Sequence, residues 1–367
     1  MERKFFEPRP VAVGGFANVG RVTVGGGSPV TIQTMWKEGI ADVRGSPGRI
    51  DEIAGRIESL RALGCDIIRF AVPDMESAES LIEICRATSM PLVADIHFDY
   101  RLALKCLEGP VAAVRINPGN IGGRERVERV VEACRERGAA IRIGVNSGSL
   151  PRDLRERVAS GGMSRAAALS EAAAREAAVL DSLGFSQFVV SMKASSARET
   201  VEANEDFASK YDVPLHVGVT EAGPLITGVV RSTLALSRLL REGIGSTVRV
   251  SLSSSPENEV ITALEILREC GLRGGGVTLV SCPRCGRQGF DVHSFMDRWQ
   301  NTLLSMRKDI TVAVMGCAVN GPGEASHADI GIAGAGGRAI ICKKGEIVRT
   351  IDEKDADNVF MEMLRSL

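Results

Sequence analysis

The sequence lacks an excess of charge of either sign. Its 45 Lys and Arg residues face 46 Asp and Glu residues, and the formal net charge is −1. No run of like charge exceeds a few residues. A general nucleic-acid-binding surface would appear as a basic excess, so we expect no nucleic-acid partner.

Long apolar runs are also missing. No stretch approaches the roughly 18 residues that a membrane-spanning helix needs. The opening segment, MERKFFEPRPVAVGG, has neither the apolar core nor the small-residue cleavage site of a secretory signal. We therefore expect a cytoplasmic protein without a membrane partner.

The nine cysteines are an odd number in a long chain without a signal, which favours reduced thiols over disulfides. Five of them lie within apolar, periodic segments and are predicted to be small buried side chains: Cys65, Cys85, Cys106, Cys134 and Cys270. The cysteines near the C-terminal third lie in different surroundings and are candidates for chemistry.

The chain has 367 residues, which predicts one large and one small domain. Up to about residue 253, short apolar runs alternate with amphipathic stretches. The runs are 29–35, 65–72, 91–98, 112–119, 141–146, 188–194, 214–221 and 247–253. This alternation predicts a (β/α)8 TIM barrel. A doubly wound open sheet is the main alternative, but the GxGxxG turn expected after its first strand is absent.

The segments between the runs have helix signals. In the clearest, Ser164 can cap the start of an alanine-rich helix and Gly184 can end it. After SLSSSPENEV the pattern changes to a smaller α/β unit. We therefore predict a barrel domain over residues 1–257 and a second domain over residues 258–367.

The second domain contains a candidate metal site. CPRC places the thiols of Cys282 and Cys285 two residues apart, so both sulfurs can face one metal centre. Cys317 follows at the end of a later apolar run, and the nearby oxygen ligand is Glu324. A 4Fe–4S cluster on these residues is one interpretation. A carboxylate is a more labile ligand to iron than a thiolate, so that iron could exchange Glu324 for a substrate oxygen.

Other interpretations of the cysteines remain open. A zinc ribbon needs a second CxxC, which is absent, so zinc would have to recruit Cys342 from a strand. A radical-SAM cluster needs CxxxCxxC, which is also absent. A redox pair formed by CPRC would leave Cys317 unexplained, and thiols without a metal are possible too.

The carboxyl ends of the predicted barrel strands, where barrel active sites lie, are polar. Five of them carry a cation: Arg69, Arg115, Arg142, Lys193 and Arg249. Two acids, Asp95 and Glu221, are too few to neutralise five bases. Because arginine binds phosphate through its planar fork, the pattern predicts a polyanionic ligand, for which a diphosphate is a natural match. Glu221 is a candidate general acid or base.

Several motifs in one order resemble the 4-hydroxy-3-methylbut-2-en-1-yl diphosphate synthase family of the bacterial methylerythritol phosphate route to isoprenoids. They are SCPRCGR, GCAVNGPGEA, VADIHF, VRINPGNIG, RIGVNSGSL, VVSMKAS, HVGVTEAG and RVSLSSSPENEV. The resemblance covers nearly the whole chain. It implies reductive opening of 2-C-methyl-D-erythritol 2,4-cyclodiphosphate to 4-hydroxy-3-methylbut-2-enyl diphosphate, with two electrons and loss of water.

The resemblance also implies roles for residues and partners. It implies cluster ligation by Cys282, Cys285, Cys317 and Glu324, and an acid–base role for Glu221. It implies diphosphate binding by Arg69, Arg115, Arg142, Lys193, Arg249 and Ser251, with Asp95 and Asn146 near the substrate. Flavodoxin or ferredoxin would supply electrons, and a head-to-tail homodimer would place one chain's cluster domain over the partner's barrel.

One alternative accompanies this interpretation. It is a phosphate-binding barrel with a structural zinc domain, either a pterin-synthase-like transferase or a non-enzymatic binder. The chain also departs from the family at one place, without affecting the assignment. Where family members carry a Thr/Asn-rich loop after the first strand, this chain has QTMWKEGIADV, and Trp36 and Lys37 put the detail of that substrate loop in question.

Overall fold

The computed structural model describes residues 5–283, 285–287, 289–318, 323 and 325–367. Contacts divide the chain into two compact units, one ending at Arg273 and the other beginning at Gly274. The segment after residue 257, which the sequence assigned to the second domain, begins with a helix that packs on a barrel strand in the first unit. No described helix is long and apolar enough to cross a membrane.

The first unit opens with an antiparallel hairpin of β1 (Val11–Gly14) and β2 (Arg21–Val24). Valines of this hairpin pack against buried residues at the start of the barrel strands, including Ile67, Val93 and Ala113. The hairpin therefore covers the amino-terminal end of the barrel, and a ligand must approach from the carboxyl end.

Eight parallel strands form the barrel within the described residues. They are β3 (Thr31–Met35), β4 (Ile67–Ala71), β5 (Leu92–Asp95), β6 (Ala113–Ile116), β7 (Ala140–Asn146), β8 (Phe188–Lys193), β9 (His216–Val217) and β10 (Thr247–Val248). Their order is β8-β7-β6-β5-β4-β3-β10-β9, and a parallel bridge between Val190 and Leu215 joins the two ends. The predicted TIM barrel is confirmed.

Helices alternate with these strands. They are α1 (Arg49–Ala62), α2 (Met75–Ala87), α3 (Tyr100–Leu107), α4 (Pro118–Ile121), α5 (Arg124–Arg137), α6 (Arg152–Ala159), α7 (Arg165–Ser182), α8 (Ala197–Ala208), α9 (Leu225–Arg241) and α10 (Pro256–Glu269). As predicted, the Ser164 side chain caps α7 by accepting from the Ala167 N–H. Gly184 follows this helix at φ +64°, a left-handed conformation that glycine adopts without strain.

The second unit is built on one five-stranded sheet. Its strands are β11 (Val277–Ser281), β12 (Ile310–Met315), β13 (Ile330–Gly334), β14 (Arg338–Lys343) and β15 (Glu346–Asp352), in that order. The first three are parallel and the last two pair antiparallel. Helices α11 (Val292–Leu304) and α12 (Ala356–Arg365) bury Phe295 and Phe360 against it.

Candidate active site

The five predicted cations converge inside the barrel. Arg69, Arg115, Arg142 and Lys193 lie on β4, β6, β7 and β8, and Arg249 follows β10 directly. Asp95, Arg115 and Arg142 are register partners on three neighbouring strands. The side chains of Arg69 and Arg249 are each only 12% exposed. The apolar runs that build the strands therefore hold a buried ring of charge inside the barrel.

Asp95 neutralises one side of this ring. Its carboxylate lies 3.6 Å from Arg69 Nε and 3.3 Å from Arg115 Nη1. Burial alone would raise the pKa of Asp95, but Arg69, the hydrogen bond with His97 and Arg115 together hold that pKa well below its usual range. Asp95 is therefore ionised at neutral pH.

Arg142, on the strand next to Arg115, has unsatisfied donors. Arg142 Nη1 donates to Gln33 Oε1, whereas Arg142 Nε and Nη2 have no hydrogen-bond partner among the described residues. Burial and then the neighbouring Arg69 lower the pKa of Arg142 well below its ordinary value. Burial and then Arg249 do the same to the pKa of Lys193. Buried, unpaired donors of this kind are costly in the free protein, so an anion that satisfied them would bind strongly.

The second carboxylate among the cations is Glu259, which the sequence analysis did not identify. It lies in α10, its side chain is 0% exposed, and its Oε1 is 2.6 Å from Lys37 Nζ and 3.5 Å from Arg249 Nη2. Lys37 is thus a sixth cation at this end of the barrel. The signal in the sequence was the shortage of acids for the predicted bases, which called for a further buried carboxylate.

His216 is a core histidine beneath the cations. It is 1% exposed, and its Nδ1 lies 3.3 Å from Thr247 Oγ1. Burial, and then Lys193 and Arg142, lower the pKa of His216 well below its ordinary value. It therefore stays neutral at physiological pH. His97, by contrast, has a side chain that is 56% exposed and lies 3.7 Å from Asp95 Oδ2.

A cavity of about 350 Å³ opens at the carboxyl end of the barrel. Its lining includes Arg115, His97, Asn146 at the end of β7, and Glu221 after β9. Glu221 is exposed, makes no ion pair with a described residue, and has φ +50°, a conformation that is strained for a glutamate. Ser251 lies half-buried in the segment after β10.

The candidate cluster cysteines lie at one edge of the second sheet. Cys282 follows β11 and Cys317 follows β12, the neighbouring parallel strand. The Cys282 N–H donates to the Val314 carbonyl at 3.0 Å. Cys317 is buried and Cys285 is exposed. Glu324 lies outside the described residues.

The described residues contain no group of three His, Cys, Asp or Glu side chains close enough to hold a metal ion. Even so, the donors suit an iron–sulfur cluster, because adjacent parallel strands bring Cys282 and Cys317 to the same edge and thiols are the ligands such clusters use. The barrel cysteines differ. Burial raises the pKa of Cys65 and of Cys106 to about 12, so both stay protonated.

Comparisons with known proteins agree with this division of the chain. Residues 16–264 match the family model described as the GcpE TIM-barrel domain, and residues 278–366 match that of the GcpE protein C-terminal domain. The chain belongs to the GcpE family. The membership of the 4-hydroxy-3-methylbut-2-en-1-yl diphosphate synthase family that the sequence motifs indicated is confirmed.

Curated relatives of this GcpE-family chain match it over nearly its whole length. A protein of Treponema pallidum (strain Nichols) is 56% identical over 99% of this chain and 92% of its own. A protein of Treponema denticola is 53% identical over 98% of both chains. One from Thermodesulfovibrio yellowstonii is 46% identical over 95% of this chain and 97% of its own. All three are named 4-hydroxy-3-methylbut-2-en-1-yl diphosphate synthase (flavodoxin).

Proposed function

We propose that this chain catalyses the reductive opening of 2-C-methyl-D-erythritol 2,4-cyclodiphosphate to 4-hydroxy-3-methylbut-2-enyl diphosphate in non-mevalonate isoprenoid biosynthesis. The observation that carries the proposal is the buried ring of cations at the carboxyl end of the barrel. It has more positive than negative groups, one of its members, Arg115, lines the cavity at the carboxyl end, and it lies in a chain whose relatives are named as synthases of that diphosphate.

The barrel's part is to bind and orient the diphosphate. Its proposed ligands are Arg69, Arg115, Arg142, Lys193, Arg249 and Ser251. The unpaired donors of Arg142 support this assignment, since phosphate oxygens would accept from them. Asp95 would orient Arg69 and Arg115 toward the anion, and Asn146 would contact the sugar portion near the cavity.

Glu221 is proposed to hold or transfer the proton that the departing oxygen requires. Its carboxylate is exposed at the cavity that Arg115 and Asn146 also line. Its strained backbone supports the proposal, because strain of this kind persists where a side chain must point in a particular direction.

Cys282, Cys285 and Cys317 would hold a 4Fe–4S cluster, with Glu324 as the fourth ligand. When bound, the cluster would pass to the substrate, one at a time, the two electrons that an external donor supplies. The names of the relatives indicate flavodoxin as the electron donor, and ferredoxin is the alternative. A cytoplasmic location and a homodimer with the active site shared between chains remain predictions.

Metal analysis separates the proposal from the zinc alternative. Protein purified without oxygen should be brown and contain about four iron and four sulfide per chain, as a 4Fe–4S cluster requires. A colourless protein with a single zinc would instead favour the phosphate-binding barrel with a structural zinc domain. The relatives, matched over both units, favour the iron–sulfur enzyme.

Binding of a diphosphate should depend on pH through Lys193. In the free protein, burial and then Arg249 lower the pKa of Lys193, whereas a bound anion raises it again. Above the free-state pKa, binding must therefore take up a proton, and the affinity must fall as the pH rises through that pKa. Titration calorimetry with inorganic pyrophosphate, in two buffers of different ionisation enthalpy, measures this uptake.

The matched control for this prediction is Lys193→Met. Pyrophosphate titrates itself, so the test is the difference between wild type and variant. The variant should bind more weakly and take up fewer protons. Equal proton uptake by the two proteins would contradict the assigned role of Lys193.

A further inference from the structure

Lys37 lies at the carboxyl end of β3, on the same side of the barrel as the predicted cations. The backbone N–H of the preceding Trp36 donates to the Arg69 carbonyl at 2.9 Å, which continues the strand pairing beyond β3. The Trp36 ring stacks on Phe70 at 5.2 Å and is buried. The backbone next to Lys37 is therefore fixed against β4.

The Lys37 ammonium is held by two groups from the segment after β10. Its Nζ lies 2.6 Å from Glu259 Oε1 and 3.1 Å from the Leu252 carbonyl oxygen. The Lys37 side chain is nevertheless 30% exposed, whereas the Glu259 side chain is 0% exposed. A ligand can therefore reach the Lys37 side chain, whereas the buried Glu259 carboxylate is shielded from that ligand.

Glu259 also contacts Arg249, so two cations share one carboxylate. Arg249 Nη2 lies 3.5 Å from the same Oε1 that binds Lys37. Thr34 Oγ1 donates to Oε2 at 2.8 Å and the Leu252 N–H donates to Oε1 at 3.0 Å, which fixes the carboxylate. Because one negative charge faces two positive charges, Lys37 and Arg249 together keep an excess positive charge that can bind an anion.

We propose that Lys37 is a further substrate-binding residue, which binds one phosphate group of the anionic substrate together with Arg249, and that Glu259 is the positioning residue that holds both cations. The proposal rests on the proposed function for the identity of the anion. Its geometric basis is the shared carboxylate oxygen and the difference in exposure between Lys37 and Glu259.

The test measures the affinity of the full-length protein for inorganic pyrophosphate. Lys37→Met should weaken binding about tenfold, the loss of roughly one charge-assisted hydrogen bond. Lys37→Arg, which keeps the charge, should stay within about threefold of wild type by the same reasoning. The matched control is Lys105→Met, because Lys105 has a similarly exposed side chain, 27%, and pairs with Glu79 and Glu108 outside the barrel. It should bind like wild type.

A double variant separates ligand contact from mere charge compensation. Lys37→Met alone leaves Glu259 buried with less compensation, and this can disturb the fold. Lys37→Met/Glu259→Gln removes one positive and one negative charge, so the net charge of the site is unchanged. Glu259→Gln alone loosens Lys37 and Arg249 but keeps both positive charges, so it is the reference for the double variant. If Lys37 contacts the anion, the double variant binds more weakly than Glu259→Gln, and equal affinity of these two variants contradicts the contact. Wild-type affinity in the double variant, or an equal loss in Lys105→Met, overturns the proposal.

Failure of this proposal is distinguishable from failure of the proposed function. If the protein binds pyrophosphate through Lys37 but does not convert the cyclic diphosphate, the function is wrong and the role of Lys37 stands. If it converts the cyclic diphosphate and Lys37→Met binds pyrophosphate like wild type, the role of Lys37 is wrong. Wild-type protein that does not bind pyrophosphate overturns the role of Lys37 as well.

Discussion

Replacing Cys317 by serine is expected to lower turnover at least about a thousandfold, since the electrons come from the cluster and not from the barrel. Iron and sulfide content should fall with it. Pyrophosphate affinity should stay at the wild-type level, because the cations belong to the other compact unit. Metal analysis, steady-state turnover with a chemical reductant and calorimetry measure the three quantities on one preparation.

The control for this variant is Cys270→Ser. Cys270 ends α10 in the barrel unit and is half-buried, so its loss should change neither the iron content nor the turnover. If Cys317→Ser kept its iron, its sulfide and its turnover, the assignment of the cluster ligands would be wrong.

Replacing Arg142 by methionine is expected to lower kcat/KM about a thousandfold, mainly through KM. Two donors of this guanidinium, Nε and Nη2, have no partner among the described residues. A charge-assisted hydrogen bond contributes about 1.5–3 kcal/mol, so losing two corresponds to roughly a thousandfold. Steady-state kinetics and pyrophosphate titration measure the loss.

Stability provides an internal check on the Arg142 result. Arg142 is buried, and burial and neighbouring cations lower its pKa. Removing such a charge should leave the free energy of unfolding unchanged or raise it. Arg152→Met is the control, since that side chain is 86% exposed and, within the described part of the chain, pairs with Glu156 on its own helix. A loss of stability in Arg142→Met, or equal kinetics in the two variants, would contradict the account.

Much of the barrel could be predicted from the sequence, because strands buried on both faces give continuous apolar runs. The last two runs, 214–221 and 247–253, form only the short strands β9 and β10. At the end of the first of these runs, Thr220 and Glu221 leave the ladder and line the cavity. The β1–β2 hairpin was not predicted, since its role as a cover for the barrel arises only from packing against Ile67 and Val93.

The cations of the candidate site could be predicted from the sequence. The buried carboxylate of Glu259, which pairs with two cations of the site, could not. Each cation interrupts or follows an apolar run, which is a local signal, although Arg69 and Arg142 lie within their strands and not at the ends. Glu259 is distant in sequence from Thr34 and Lys37, and only the closure of the barrel between β3 and β10 brings them together. In the same way, Lys37 stood out in the sequence only as a departure from the family loop.

The most direct test of the central claim is anaerobic incubation of the iron-replete protein with 2-C-methyl-D-erythritol 2,4-cyclodiphosphate and a strong one-electron reductant, followed by phosphorus and proton NMR. The account predicts that the cyclic diphosphate is consumed and 4-hydroxy-3-methylbut-2-enyl diphosphate appears, with two electrons consumed per product. An iron-replete protein that leaves the cyclic diphosphate intact, under conditions in which the Treponema pallidum relative converts it, would contradict the account.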